Sequence, residues 1–261
     1  MSLGFADIVG TTLVSASLQL AIALTMRRRG LYRRMPWFFA YTLWVMTFSI
    51  VMLSFYLRVR VDPGFQPIWY YVGWCEDAVS VALGFAVVYE VFTQVFQPYE
   101  TFHRVGKAVF RWCGVGLLLL GSVVSLLSSP HRPDQTFVQL TAGLLVVERT
   151  VRVVEVGLLL VVLVAVRYMR ISWRRDILGV AVGLGLYAGT SMVCLALQAQ
   201  NGLLAYYALG LVSGTAYTCA VMIWAAYILL PQPAAQPVWL VPQGKEEVER
   251  WNQALSHLLQ Q

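Results

Sequence analysis

Seven apolar windows of about 20 residues dominate the chain, over 7–26, 36–57, 67–96, 108–129, 139–168, 176–199 and 204–230. A window of that length is what an α-helix needs to cross the hydrocarbon core of a bilayer. Composition agrees: 59% of residues are hydrophobic, 12% are charged and the mean hydropathy is +0.66, whereas soluble domains carry roughly a quarter charged residues. The expectation is an all-α membrane protein, a seven-transmembrane-helix bundle over 1–230 followed by a cytoplasmic tail over 231–261, with the lipid bilayer as its first partner.

The connecting segments set the orientation. RRRGLYRR (27–34), ETFHRVGK (100–107) and RYMRISWRR (167–175) alternate with RVRVDPGFQP (58–67), SSPHRPDQT (128–136) and QNG (200–202). The first set is richer in Lys and Arg and is expected in the cytoplasm, which puts the N-terminus outside and the C-terminus inside. The net charge of +6 therefore reports topology, and no nucleic-acid partner is expected. MSLGFADIVG has no basic start, so the first span reads as retained and not as a cleaved signal peptide. Cys75, Cys113, Cys194 and Cys219 all fall in apolar segments without CxxC spacing and read as small buried hydrophobes.

Trp37, Phe38 and Phe39, Trp69, Tyr70 and Tyr71, and Trp112 and Trp173 fall at window borders, as an interfacial aromatic belt does. The sixth window carries Gly179-x-x-x-Gly183 and Gly185-x-x-x-Gly189, and the seventh Gly210-x-x-x-Gly214. Such spacing lets helix backbones approach closely, here between the last two spans or across an interface with a second copy of the chain. After Pro231 the run PQPAAQP is a stiff spacer, and KEEVERWNQALSHLLQQ then sets Trp251, Leu255 and Leu258 at helical spacing. This short amphipathic helix is expected to lie on the bilayer or to dock on a cytoplasmic or membrane protein partner.

Charges inside the windows are the unusual feature. The third window holds Glu76, Asp77 and Glu90, and the fifth holds Glu148, Arg149, Arg152 and Glu155. Glu148, Arg152 and Glu155 fall within about 60° of arc on one helix face. An ionised side chain at the bilayer centre costs at least ~2.5–3.5 kcal/mol, so this face is expected to point into the bundle. Glu148 with Arg152 and Arg152 with Glu155 can pair within the helix, leaving Arg149 to reach Asp77 or Glu76. Five carboxylates against two arginines then require protonation or water, and the cluster between the third and fifth helices reads as a ligand or proton site.

The absent residues narrow the chemistry. His103, His131 and His257 lie in loops or the tail and no Lys falls in a span, which excludes haem held between two helices by intramembrane histidines, and a retinal Schiff base. Without GxSxG or a metal-ligand set no enzyme, metal or cofactor is expected. YEVFTQVFQPYE (89–100), VERTVRVVEVGLLL (147–160) and VMIWAAYILLP (221–231) resemble stretches of a family of uncharacterised bacterial seven-helix integral membrane proteins. That resemblance implies the seven-helix fold and a bacterial inner membrane, and no particular activity. The functional expectation is a sensor-like or accessory subunit of a membrane complex, with a small transporter or proton-conducting channel as the alternative.

Overall fold

The computed structural model describes residues 3–96, 106, 108–113, 115–116, 119, 150–151, 153–164 and 174–230. Every element among them is helical. Five helices are long and apolar enough to cross a membrane: Val9–Arg28, Pro36–Val61, Tyr71–Val95, Arg175–Cys194 and Leu209–Leu229. A shorter apolar helix covers Val153–Val164. All five match windows expected from sequence, and the described part of the fifth window is helical as well. Most of the fourth window and the tail lie outside the described residues.

Helix α1 (Leu3–Arg28) stops at Gly30, whose φ of 68° lies in the left-handed region that glycine adopts without steric penalty. A 3-10 turn, Leu31–Arg33, leads to α2 (Pro36–Val61), with Pro36 in the first turn, where its missing N–H costs nothing. Asp62 ends α2 and turns the chain: its Oδ1 accepts the Gly64 N–H at 2.9 Å, and α3 (Gln66–Val95) begins three residues after Pro63. These short connections make α1, α2 and α3 antiparallel neighbours, packed in that order. Residues 108–113 (α4) lie against the end of α3, with Phe110 touching Phe85, Tyr89 and Phe92. Val153–Val164 is α5.

Residues Arg175–Leu229 form α6, 55 residues that cannot be straight. A straight helix of that length would measure about 80 Å and would set Ser191 and Ser213 about 33 Å apart. Their hydroxyls are instead 3.1 Å apart, and Trp224 Nε1 donates to the Val180 carbonyl at 3.2 Å. The helix therefore folds back on itself as two antiparallel arms, and its pairs centre on the QNG segment, where sequence places a loop. The close approach is glycine-dependent: a Cβ on Gly183 would overlap the Trp224 indole, and one on Gly179 would overlap Tyr227. Gly189, Gly210 and Gly214 have nothing within 4 Å of where a Cβ would stand.

The second arm returns beside α1 and runs parallel to it. Ser15 meets Thr218 at 3.3 Å, and fourteen residues further on Arg29 donates to the Ile228 and Leu229 carbonyls at 2.6 and 3.2 Å. Arg29 thereby satisfies carbonyls that α6 leaves open at its C-terminus, where a cation is favoured. The core among α1, α2, α3 and α6 centres on Phe38, Met26, Val88, Val91 and Trp224, all essentially inaccessible. Leu13, Leu24, Ile50, Leu57, Leu160 and Val164 face outward, as expected where lipid replaces water around the bundle.

Candidate functional site

Glu76, Ser80 and Gly84 follow one another at i+4 spacing along α3, and Glu90 returns to within about 40° of the same stripe. One stripe therefore carries three different environments.

Glu90 lies toward the C-terminal end of α3 and is buried. Its Oε1 and Oε2 accept the backbone N–H groups of Trp37 and Phe38 at 3.1 and 2.9 Å. Those two donors belong to the first turn of α2, where helical geometry leaves N–H groups without partners and favours negative charge. Pro36 brings no donor of its own, and Met35 supplies no side-chain cap, so Glu90 from the neighbouring helix performs the capping. Gln94, one turn further on, donates to the Arg34 carbonyl and fixes the same joint. The sequence grouped Glu90 with the helix 3 to helix 5 cluster; the structure joins it to α2.

Gly84 is the point where α3 meets α5. Glu155 is fully buried, and its Oε1 would stand 2.8 Å from a Cβ on Gly84. Glycine leaves the carboxylate room in this position, and a larger residue would require the end of the Glu155 side chain to shift. Glu155 stands beside Gly84 of the third helix, a residue that periodicity and charge did not single out. Glu148, Arg149 and Arg152 lie outside the described residues, as do Trp251, Leu255 and Leu258. Arg174 pairs with Asp176 at 2.7 Å at the start of α6. Asp77, a residue beyond Glu76, is exposed, while Glu76 is half-buried.

Glu76 faces a polar centre that the sequence reading did not assemble. Tyr217, on the second arm of α6, accepts a hydrogen bond from Gln19 Nε2 of α1 at 2.7 Å. It also shares a hydrogen bond with Tyr41 of α2 and lies within electrostatic reach of Tyr187 and Glu76. Aromatic edges fix these rings: Tyr187 and Tyr217 stand 5.2 Å apart at 72°, Tyr217 and Trp224 6.2 Å apart at 82°, and Tyr41 and Trp224 6.0 Å apart at 86°. Edge-to-face contacts of this kind hold ring orientation as well as position. Phe38, expected in an interfacial belt, is buried against the same indole at 5.3 Å, while its neighbour Trp37 stays exposed.

Gln19 is the outlier within this centre. It is fully inaccessible, yet its Oε1 has no hydrogen-bond partner among the described residues. Trp44 Nε1 of α2, on a half-buried side chain, also has no hydrogen-bond partner among the described residues, while Ser80 of α3 lies within hydrogen-bonding reach of Glu76. A buried amide oxygen without a donor costs on the order of 1–3 kcal/mol, and native proteins leave few such groups. The arrangement can offer a polar guest an amide acceptor, a carboxylate, phenol hydroxyls and aromatic faces. The available signal in the sequence was the position of Gln19, Tyr187 and Tyr217 in mid-window, away from the borders where tyrosines collect.

Among the described residues no three His, Cys, Asp or Glu side chains gather as a metal site. Fold and interior together define an all-helical, multi-pass membrane protein with a polar centre. No family model matches the chain, and neither a curated protein nor a solved structure is significantly similar to it.

Proposed function

We propose that this chain is a seven-span sensor-like or accessory subunit of a bacterial cytoplasmic membrane, without catalytic activity of its own, and that the centre around Tyr217 receives a small polar ligand. The observation that carries the reading is the fully buried Gln19, whose Oε1 lacks a donor among the described residues beside Tyr217. A group of that kind suits a guest that completes it.

Helix α1 and the last arm of α6 run in the same direction, which requires an odd total of spans; the shorter apolar helix Val153–Val164 and a fourth helix would together raise the five long spans to seven. Phe110 packs beside the inner end of α3, the correct end for a fourth helix to start back across the membrane. The clustered Arg27, Arg28, Arg29, Arg33 and Arg34 mark that end as cytoplasmic. A phosphatase active only outside the cytoplasm should accordingly be silent when fused after Gln261 and active when inserted at 130–135. The helix carrying Trp251, Leu255 and Leu258 would be the output contact, and the open Gly189, Gly210 and Gly214 leave room for a second copy.

The transporter or proton-channel reading draws less support, because the buried Val87 and Val88 stand on α3 between Glu76 and Glu90. The deciding experiment replaces Gln19 with Leu, a side chain of similar size, and follows complementation of a deletion strain alongside thermal unfolding of the purified chain. A folded protein that has lost function is the expected result. Full complementation by a folded Gln19→Leu protein would reduce the centre to packing.

A further inference from the structure

We propose that the groove between α5 and the first arm of α6 is a site for one anionic phospholipid, with an acyl chain in the groove and the phosphate on Arg174 and Arg175. The groove encloses about 270 Å³ and is lined by Leu159, Leu160 and Leu163 of α5 and by Leu178, Ala181 and Gly185 of α6, among other apolar residues. That space accommodates roughly nine groups of the size of a water or a methylene. From Leu178 to Gly185 the helix rises about 10 Å, the length of such a stretch of acyl chain.

Gly185 makes the groove deep: the nearest atom to a Cβ there is Leu159 Cδ1 at 3.9 Å, an ordinary contact across open space. Leu160 and Leu163 are more than half exposed along the rim, so the groove opens sideways, toward lipid.

Charge at the mouth selects the head group. Arg174, Leu178, Ala181 and Gly185 follow one another at spacings of four, three and four residues, and Arg175, Leu178 and Val182 at three and four. The first stripe runs from Arg174 into the groove, and Arg175 stands beside its mouth on the side of the returning arm. Arg174 gives one Nη2 to Asp176 at 2.7 Å and remains about half exposed, which leaves most of its five donors for another acceptor. Arg175 is exposed and stands over the Tyr227 ring, 5.7 Å from its centroid. This end also carries Arg29, whose side chain reaches Ile228. It is the end assigned to the cytoplasm, where anionic lipids make the leaflet negative and basic pockets between helices take their head groups.

The inference rests on the membrane-spanning fold and is independent of the ligand proposed at Tyr217. Native mass spectrometry of the full chain, released from mixed phosphatidylglycerol and phosphatidylcholine micelles, counts the lipid retained. The wild type should keep one phosphatidylglycerol in preference to phosphatidylcholine. Arg175 holds no salt bridge among the described residues, so Arg175→Gln leaves no buried acid stranded and should lower that retention about fivefold.

Gly185→Leu, which fills the groove without touching either arginine, should lower retention of both lipids. Equal retention of the two lipids by the wild type overturns the proposal, as does undiminished phosphatidylglycerol binding in both variants. Retention lowered by Arg175→Gln but not by Gly185→Leu, together with equal protection by inorganic phosphate, would mean a surface anion site and would overturn the lipid assignment.

Discussion

Glu76 and Glu90 occupy the same stripe of α3, about 21 Å apart along its axis, and their surroundings separate them. Glu90 meets the opening turn of α2 and spends both oxygens on the Trp37 and Phe38 N–H groups. Glu76 meets the side of the bundle where Tyr217, Tyr187 and Tyr41 converge. A carboxylate within a membrane helix thus becomes structural when a helix N-terminus reaches its depth, and stays available when side chains face it instead. Intramembrane charge by itself distinguishes the two no better than their shared stripe does.

Removing the Glu90 carboxylate should have the largest effect. Glu90→Leu leaves the buried Phe38 N–H and the partly buried Trp37 N–H without their acceptor, at about 1–3 kcal/mol for a buried donor and less for the other, so a loss of about 3 kcal/mol is expected in reversible unfolding of the detergent-solubilised protein. Glu90→Gln keeps an acceptor and should lose about half as much. A Glu90→Leu protein as stable as the wild type would remove the capping role and with it the contrast.

Next is Gly183→Ala, which drives a methyl group into the Trp224 indole. Overpacking at a rigid partner costs about 1–3 kcal/mol, and an effect within that range, read in the same unfolding experiment, would confirm that the arms of α6 depend on glycine contact. Gly84→Ala presses on the end of the Glu155 side chain, which can turn aside, so about 1 kcal/mol is expected.

A stability effect as small as that of Gly84→Ala should come from the polar centre. Tyr217→Phe removes the hydroxyl that bonds Gln19 and Tyr41, and such bonds in membrane bundles average about 0.6 kcal/mol each. Function in complementation should nevertheless fall more for Tyr217→Phe than for Gly84→Ala. The reverse order of functional loss would move the site from Tyr217 to the contact between Glu155 and Gly84.

The spans were legible because hydropathy over about 20 consecutive residues is a local property and the bilayer admits little besides helices there. The same holds for the reversal at QNG and for the Gly179 and Gly183 pair, whose spacing fixes a small-residue face whatever it meets. Partners separated along the chain were decided by tertiary structure. Glu90 and Phe38 lie 52 residues apart and Gln19 and Tyr217 198 apart, and no periodicity within one helix reports which neighbour will stand opposite.

Glycine shows the division most clearly. Sequence marks Gly179, Gly183, Gly210 and Gly214 alike, yet only the first two press against side chains of the returning arm. By itself, then, the sequence determined which segments are helices fit for a membrane and which faces are small or charged. Which carboxylate caps a helix and which faces the tyrosines was decided by how those helices pack, because a hydrogen bond requires its donor within about 3 Å and that distance is set across the bundle, not along the chain.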